Sequence, residues 1–164
     1  MPSTLPRVTH EHHERLMTIV DELPATGDLL LSDTTADLQL RLDRAEDLLT
    51  GLLSPHLEAA EANLYPELER LLQNRHSMAP MRREHIEIRR MIAEFTALRR
   101  TIGIGRPTKG QAVALRRVIF QLYALLKVHL VEEELYVGIV DRGVSPEAAE
   151  MLAAAMDHPV GVRD

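Results

Sequence analysis

Apolar residues recur along this chain at intervals of three and four, the spacing that places them on one face of an α-helix. The first such stripe is Leu16, Ile19, Val20 and Leu23. It predicts a helix from Thr9, whose hydroxyl can cap the N-terminus, to just before Pro24. Pro24 to Leu31, with Thr26-Gly27-Asp28 inside it, reads as a loop. A second stripe, Leu38, Leu42, Ala45, Leu49, Leu52 and Leu53, predicts a helix starting at Ser32 or Asp33. Ser54-Pro55 is expected to kink it, and Pro66 to end it near Tyr65, because proline disfavours the α conformation in the residue before it. A further turn can follow through Leu68, Leu71 and Leu72.

The third helix is expected from Ala79 to Arg100, with Met81, Ile88, Ile92 and Phe95 inward. After the turn Gly103-Ile104-Gly105-Arg106-Pro107, Thr108 and Gln111 have the spacing of a capping box. They open a fourth helix through Leu115, Val118, Leu122, Tyr136 and Val140, which Gly143-Val144 breaks. Ser145-Pro146-Glu147 then starts a short helix to about Met156, and a loose tail is expected from His158. The expected architecture is all-α: an up-down-up-down four-helix bundle with a short C-terminal helix. It is read as one domain over residues 1–164, with the core bundle at about 8–141 and the last helix at about 145–156.

Composition agrees with helices. Leucine is the commonest residue, aromatics make up only 3%, and there is no Trp; aromatic and β-branched residues favour strands instead. The balance of 19 basic and 25 acidic residues, a net charge of −6, repels phosphate backbones, and the few aromatics offer little to stack on bases. No nucleic-acid partner is expected. No apolar run approaches the ~18 residues of a membrane span, and the N-terminus lacks the apolar core of a secretory signal, so a cytoplasmic protein without membrane contact is expected. A monomer or a homodimer fits this size.

The absence of Cys changes the picture more. It removes disulfides, thiolate zinc sites, iron–sulfur clusters and Cys nucleophiles together. Eight His remain as the unusual resource. Extending the apolar stripes places one His on the inward face of each long helix: His12 or His13, then His56, His85 and His129. His10, His76 and His158 fall outside the stripes. A single core His is ordinarily satisfied by a neighbour, but four in one bundle would need four separate partners. A shared metal satisfies one nitrogen of each.

Carboxylates accompany two of them. Glu133 follows His129 by four and shares its face, while Glu134 is rotated about 140° and reaches in from the flank. Glu61 follows His56 by five. The segments His56-Leu57-x-x-x-Glu61 and His129-Leu130-x-x-x-Glu134, each with Leu-Tyr soon after, form a weak internal repeat. Glu61 and one of Glu133 and Glu134 are read as ligands, and Glu132 as a solvated face. Four His and two Glu suffice for two ions with positions left for oxo, hydroxo or substrate. Mixed N/O coordination points to iron more than to magnesium or calcium, without separating it from zinc.

These residues resemble the hemerythrin-like, or HHE cation-binding, family. The ordered set is His12 or His13, His56…Glu61 followed by Leu64-Tyr65-Pro66, Glu84-His85, and His129-x-x-x-Glu133-Glu134. It runs over roughly residues 8–141 and looks closest to the stand-alone actinobacterial hemerythrin-like proteins. The resemblance implies a bundle around two oxo- or hydroxo-bridged iron ions. It also implies activities ranging over reversible dioxygen binding, sensing, and handling of peroxide or nitric oxide.

Two departures from the oxygen-carrying members stand out. Arg89 occupies the second His position of their third-helix motif, and Ala60 stands where they have a glutamate. With a ligand fewer, reaction with a small oxidant such as hydrogen peroxide or nitric oxide is expected, in preference to reversible oxygen carriage. The alternative is an iron- or oxygen-binding or sensing protein without turnover. Tyr65 is the candidate to fill the gap. It lies nine residues after His56, the far side of a straight helix, so it reaches the site only if the chain turns before Pro66; otherwise it packs the helix end. Tyr136 reads as a core aromatic.

Overall fold

The computed structural model describes residues 4–32 and 35–157, and among these the chain is all helical. The helices are α1 (Thr4–Val20), α2 (Leu23–Leu29), α3 (Thr35–Glu46), α4 (Ser54–Ala59), α5 (Tyr65–Leu71), α6 (Ala79–Ile102), α7 (Lys109–Gly143) and α8 (Pro146–Asp157). Two π-helical segments, π1 (Asp47–Leu53) and π2 (Ala60–Leu64), join α3, α4 and α5 into one continuous helical run. α7 opens with the expected capping box: Gln111 N–H donates to Thr108 Oγ1, and Thr108 N–H donates to Gln111 Oε1. Residues 33–34 and the tail from His158 lie outside the described residues.

Two expectations are corrected. The Pro24 to Leu31 stretch is not a loop throughout, because α2 occupies most of it. Pro24 sits in the first turn, where its missing N–H costs nothing. Gly27 lets α2 close against α7: a Cβ there would lie 2.7 Å from Phe120 Cε2.

The second correction concerns the prolines. Pro66 does not end the helix, which runs on through it as it does through Pro55. A proline ring inside an α-helix collides with the carbonyl four residues back, which is Gly51 for Pro55 and Ala62 for Pro66. Both carbonyls lie in the widened π turns, whose hydrogen bonds run i→i+5. Ser54 N–H and Oγ both donate to the Leu49 carbonyl, and Asn63 Nδ2 donates to the Ala59 carbonyl, so groups displaced by the widening keep partners. The helix bends its hydrogen-bond pattern instead of stopping.

The apolar interior falls into two clusters. One gathers Leu16, Leu42, Leu49, Leu53, Leu57, Ile88, Phe95, Leu115, Leu122 and Leu130. The other gathers Ala60, Leu64, Tyr65, Met81, Val137 and Val140, and α8 closes it with Ala149, Ala153 and Met156. α6 and α1 both pack along α7, and α8 packs on α1. The boundary between the clusters crosses α4 between Leu57 and Ala59, next to His56, and crosses α6 near His85 and α7 near Glu133. No helix among the described residues is long and apolar enough to cross a membrane.

Candidate metal centre

At that boundary the structure buries six groups against one another: His13 from α1, His56 from α4, Tyr65 at the start of α5, His85 from α6, and His129 and Glu133 from α7. Glu133 is the hub. Its Oε2 lies 3.2 Å from His13 Nε2 and 2.8 Å from His56 Nε2. Its Oε1 accepts a hydrogen bond of 3.0 Å from Tyr65 OH. That phenol oxygen also lies 2.8 Å from His85 Nε2, which in turn faces His129 Nε2 at 3.1 Å. Two sets of convergent ligand atoms result, His13–His56–Glu133 and His85–His129–Glu133, with the atoms of each set within 4.8 Å of one another.

Tyr65 enters because of π2. On an ideal helix nine residues place it about 180° from His56; a π turn absorbs about one residue, which cuts the rotation to about 80°. Its ring packs on His85 at 5.2 Å between centroids, and the Arg82 guanidinium covers it at 5.4 Å.

Outside this group, two further carboxylates hold the far nitrogens of one His pair. His85 Nδ1 is 2.8 Å from Glu61 Oε1, which also accepts from Arg89 Nη1 at 2.8 Å. His129 Nδ1 is 2.9 Å from Glu84 Oε2. A carboxylate only accepts, so both Nδ1 atoms carry the proton and both Nε2 atoms present bare lone pairs. The two Nε2 atoms face each other beside a Glu133 oxygen, with the Tyr65 phenol at 2.8 Å from that of His85, so potential ligand atoms from three helices converge. The donor set therefore fits a metal ion.

Electrostatics keep these groups in ligand form. Burial, and then the neighbouring His129, pull the His85 imidazole down to about 4, so it is neutral at pH 7. Burial opposes the Glu133 charge, but the His56 imidazole and hydrogen bonds from His13 and His56 outweigh it and hold the carboxyl well below its usual range. Burial likewise opposes charge on Glu61, and the hydrogen bonds from Arg89 and His85 overcome it, leaving that carboxyl lowered too. Burial, then the Glu133 charge, push the Tyr65 phenol far above its ordinary value, so its O–H stays a donor.

The other residues singled out in the sequence stand elsewhere. His12 stacks on the His56 ring at 5.1 Å but belongs to neither set. Glu61 touches His85 from behind and faces neither set. Glu134 points away from Glu133 and pairs with His10, which also meets Glu14 at 3.3 Å. His76 lies exposed in the turn before α6, and Tyr136 packs half-buried on the second apolar cluster.

The roles of Glu84 and Arg89 did not emerge from spacing. Glu84 adjoins His85 in the chain yet serves His129 on the neighbouring helix, a pairing that periodicity along one helix does not reveal. Arg89, one turn after His85, clamps Glu61 at 2.8 Å.

No curated protein matches the chain, and no solved structure does. The family model for the hemerythrin HHE cation binding domain matches residues 4–140, a span that holds both ligand sets. The chain belongs to the hemerythrin HHE cation binding domain family.

Proposed function

We propose that this protein is a non-haem di-iron protein that reacts with a small oxidant, hydrogen peroxide or nitric oxide, inside a single-domain, up-down-up-down four-helix bundle. The observation that carries the reading is the pair of inward-facing Nε2 atoms of His85 and His129, 3.1 Å apart and next to Glu133. The continuous runs α1, α3–α5, α6 and α7 supply the four long helices. His13, His56 and Glu133 Oε2 would hold one ion, and His85, His129 and Glu133 Oε1 the other, with Tyr65 in reach of the second. Imidazole, carboxylate and a phenol form a mixed donor set suited to iron.

Bound iron would supply one-electron chemistry to a small molecule. The chain's own groups set its terms. Glu133, held as an anion, offsets cationic charge where water cannot. Tyr65 keeps a proton on its oxygen, aimed at the Glu133 carboxylate. Leu57, Leu64, Ile88 and Leu130 exclude bulk water. A pocket of about 100 Å³, lined by His10, Met17, Leu130 and Glu134 among others, reaches His13 from the surface between α1 and α7. It has room for a molecule of a few atoms, since one liquid water occupies about 30 Å³.

The test is peroxide consumption and nitric oxide loss by iron-loaded protein, with His56→Ala as control. Turnover that exceeds that of free iron and disappears in a folded His56→Ala variant is expected. Iron-loaded protein no faster than free iron overturns the reactive reading. The full burial of the His85, His129 and Glu133 ligands would then favour a second one: iron or oxygen binding without turnover.

A further inference from the structure

The two ligand sets share Glu133 but differ in how they are supported. His85 and His129 each have Nδ1 on a carboxylate, Glu61 at 2.8 Å and Glu84 at 2.9 Å, and Arg89 fixes Glu61 in place. Their tautomers are set with the lone pairs facing inward before any ion arrives. His13 and His56 are the reverse. Their Nε2 atoms both lie against Glu133 Oε2, at 3.2 and 2.8 Å, so they donate to it and carry the protons there. Their Nδ1 atoms are buried and have no hydrogen-bond partner. To bind an ion through Nε2, each must move its proton to Nδ1, where a buried N–H then has no acceptor. An unsatisfied buried donor opposes that change, and outer hydrogen bonds of the kind His85 and His129 possess are what strengthen imidazole ligands.

We infer that the two halves of the centre are inequivalent: the first metal ion enters at His85, His129 and Glu133, with Glu84 and Glu61 as positioning residues, and the His13–His56 half fills second. This rests on the dinuclear reading above. It adds an order of loading and two carboxylates that set it.

The experiment is an anaerobic titration of the metal-free full chain with Co²⁺, followed by calorimetry and visible absorption. Two binding steps are expected, the first at least about tenfold tighter. Glu84 is partly exposed, so Glu84→Ala is expected to fold, which its unfolding curve checks. It should weaken the first step about 10–100-fold, and Glu84→Gln, which restores an acceptor for Nδ1–H, should recover part of the loss. His13→Ala should remove the second step and keep the first. A readout without variants is proton NMR of the parent chain at one equivalent of Co²⁺, where the shifted imidazole N–H signals should belong to His85 and His129. A single step taking up two ions at equal affinity overturns the inference. So does a first ion seen at His13 and His56, or a first step unmoved in Glu84→Ala. A parent chain that takes up no Co²⁺ overturns the metal reading itself, a result distinct from the other three.

Discussion

At the residue scale, Glu133 and Tyr65 carry the account. Glu133 is the one carboxylate within both ligand sets, so Glu133→Gln, which keeps the shape and removes the charge, should cut iron content at both positions. Metal analysis of the folded variant checks this, and unchanged iron would remove Glu133 from its central role. Tyr65→Phe should leave the helices intact and abolish any visible iron–phenolate band of the loaded protein. A band that survives in Tyr65→Phe shows the phenol is not a ligand.

The buried imidazole also gives the metal-free protein a pH dependence. His85 is held down to about 4 when folded, against 6.5 in its ordinary state. Between those values the unfolded chain binds more protons than the folded one, so stability rises with pH through that window. It is lost as pH falls from about 6.5 towards 4. Glu133, lowered in the fold, adds a loss of the same sign below about 4.5. Urea unfolding of metal-free protein at pH 5 and pH 7.5 should show the lower midpoint at pH 5, while equal midpoints would contradict the burial argument.

At the element scale, the long second helix shows what periodicity reveals and what it hides. Most of its apolar stripe and the inward His56 were legible, because three-and-four spacing reports which face is buried, whereas Leu52, read into that stripe, is exposed. The helix's continuation past Pro66 was not legible, because a π turn yields to the proline ring by widening and shifts the helical face by about one residue, which three-and-four spacing does not reveal. The same blindness touched α2, where Pro-x-x-Gly resembles a turn until Phe120 is seen packed on Gly27. Here the structure makes a direct prediction. Gly27→Ala places a methyl 2.7 Å from the Phe120 ring edge and should cost about 1–3 kcal/mol by overpacking. Denaturant unfolding measures it, and a neutral effect would show that α2 can slide on α7.

At the scale of the whole molecule, the centre lies where two apolar clusters meet, and α8 seals one of them. The inward His56, His85 and His129 could be read from sequence because each continues an apolar stripe, while the first stripe left His12 and His13 both open. Their outer partners could not, since Glu61 and Glu84 act across helices. Removing residues from Ser145 onward would expose the cluster that α8 covers with Ala149, Ala153 and Met156. It should lower the thermal midpoint of the loaded protein, and an unchanged midpoint would make α8 dispensable. The central claim, a dinuclear iron centre built by residues on all four long helices, is tested most directly by one measurement. It is the iron content of protein purified from iron-supplied cells, read together with its optical spectrum. Two irons per chain are expected, with near-ultraviolet absorption. Folded protein that is free of iron after that expression would contradict it.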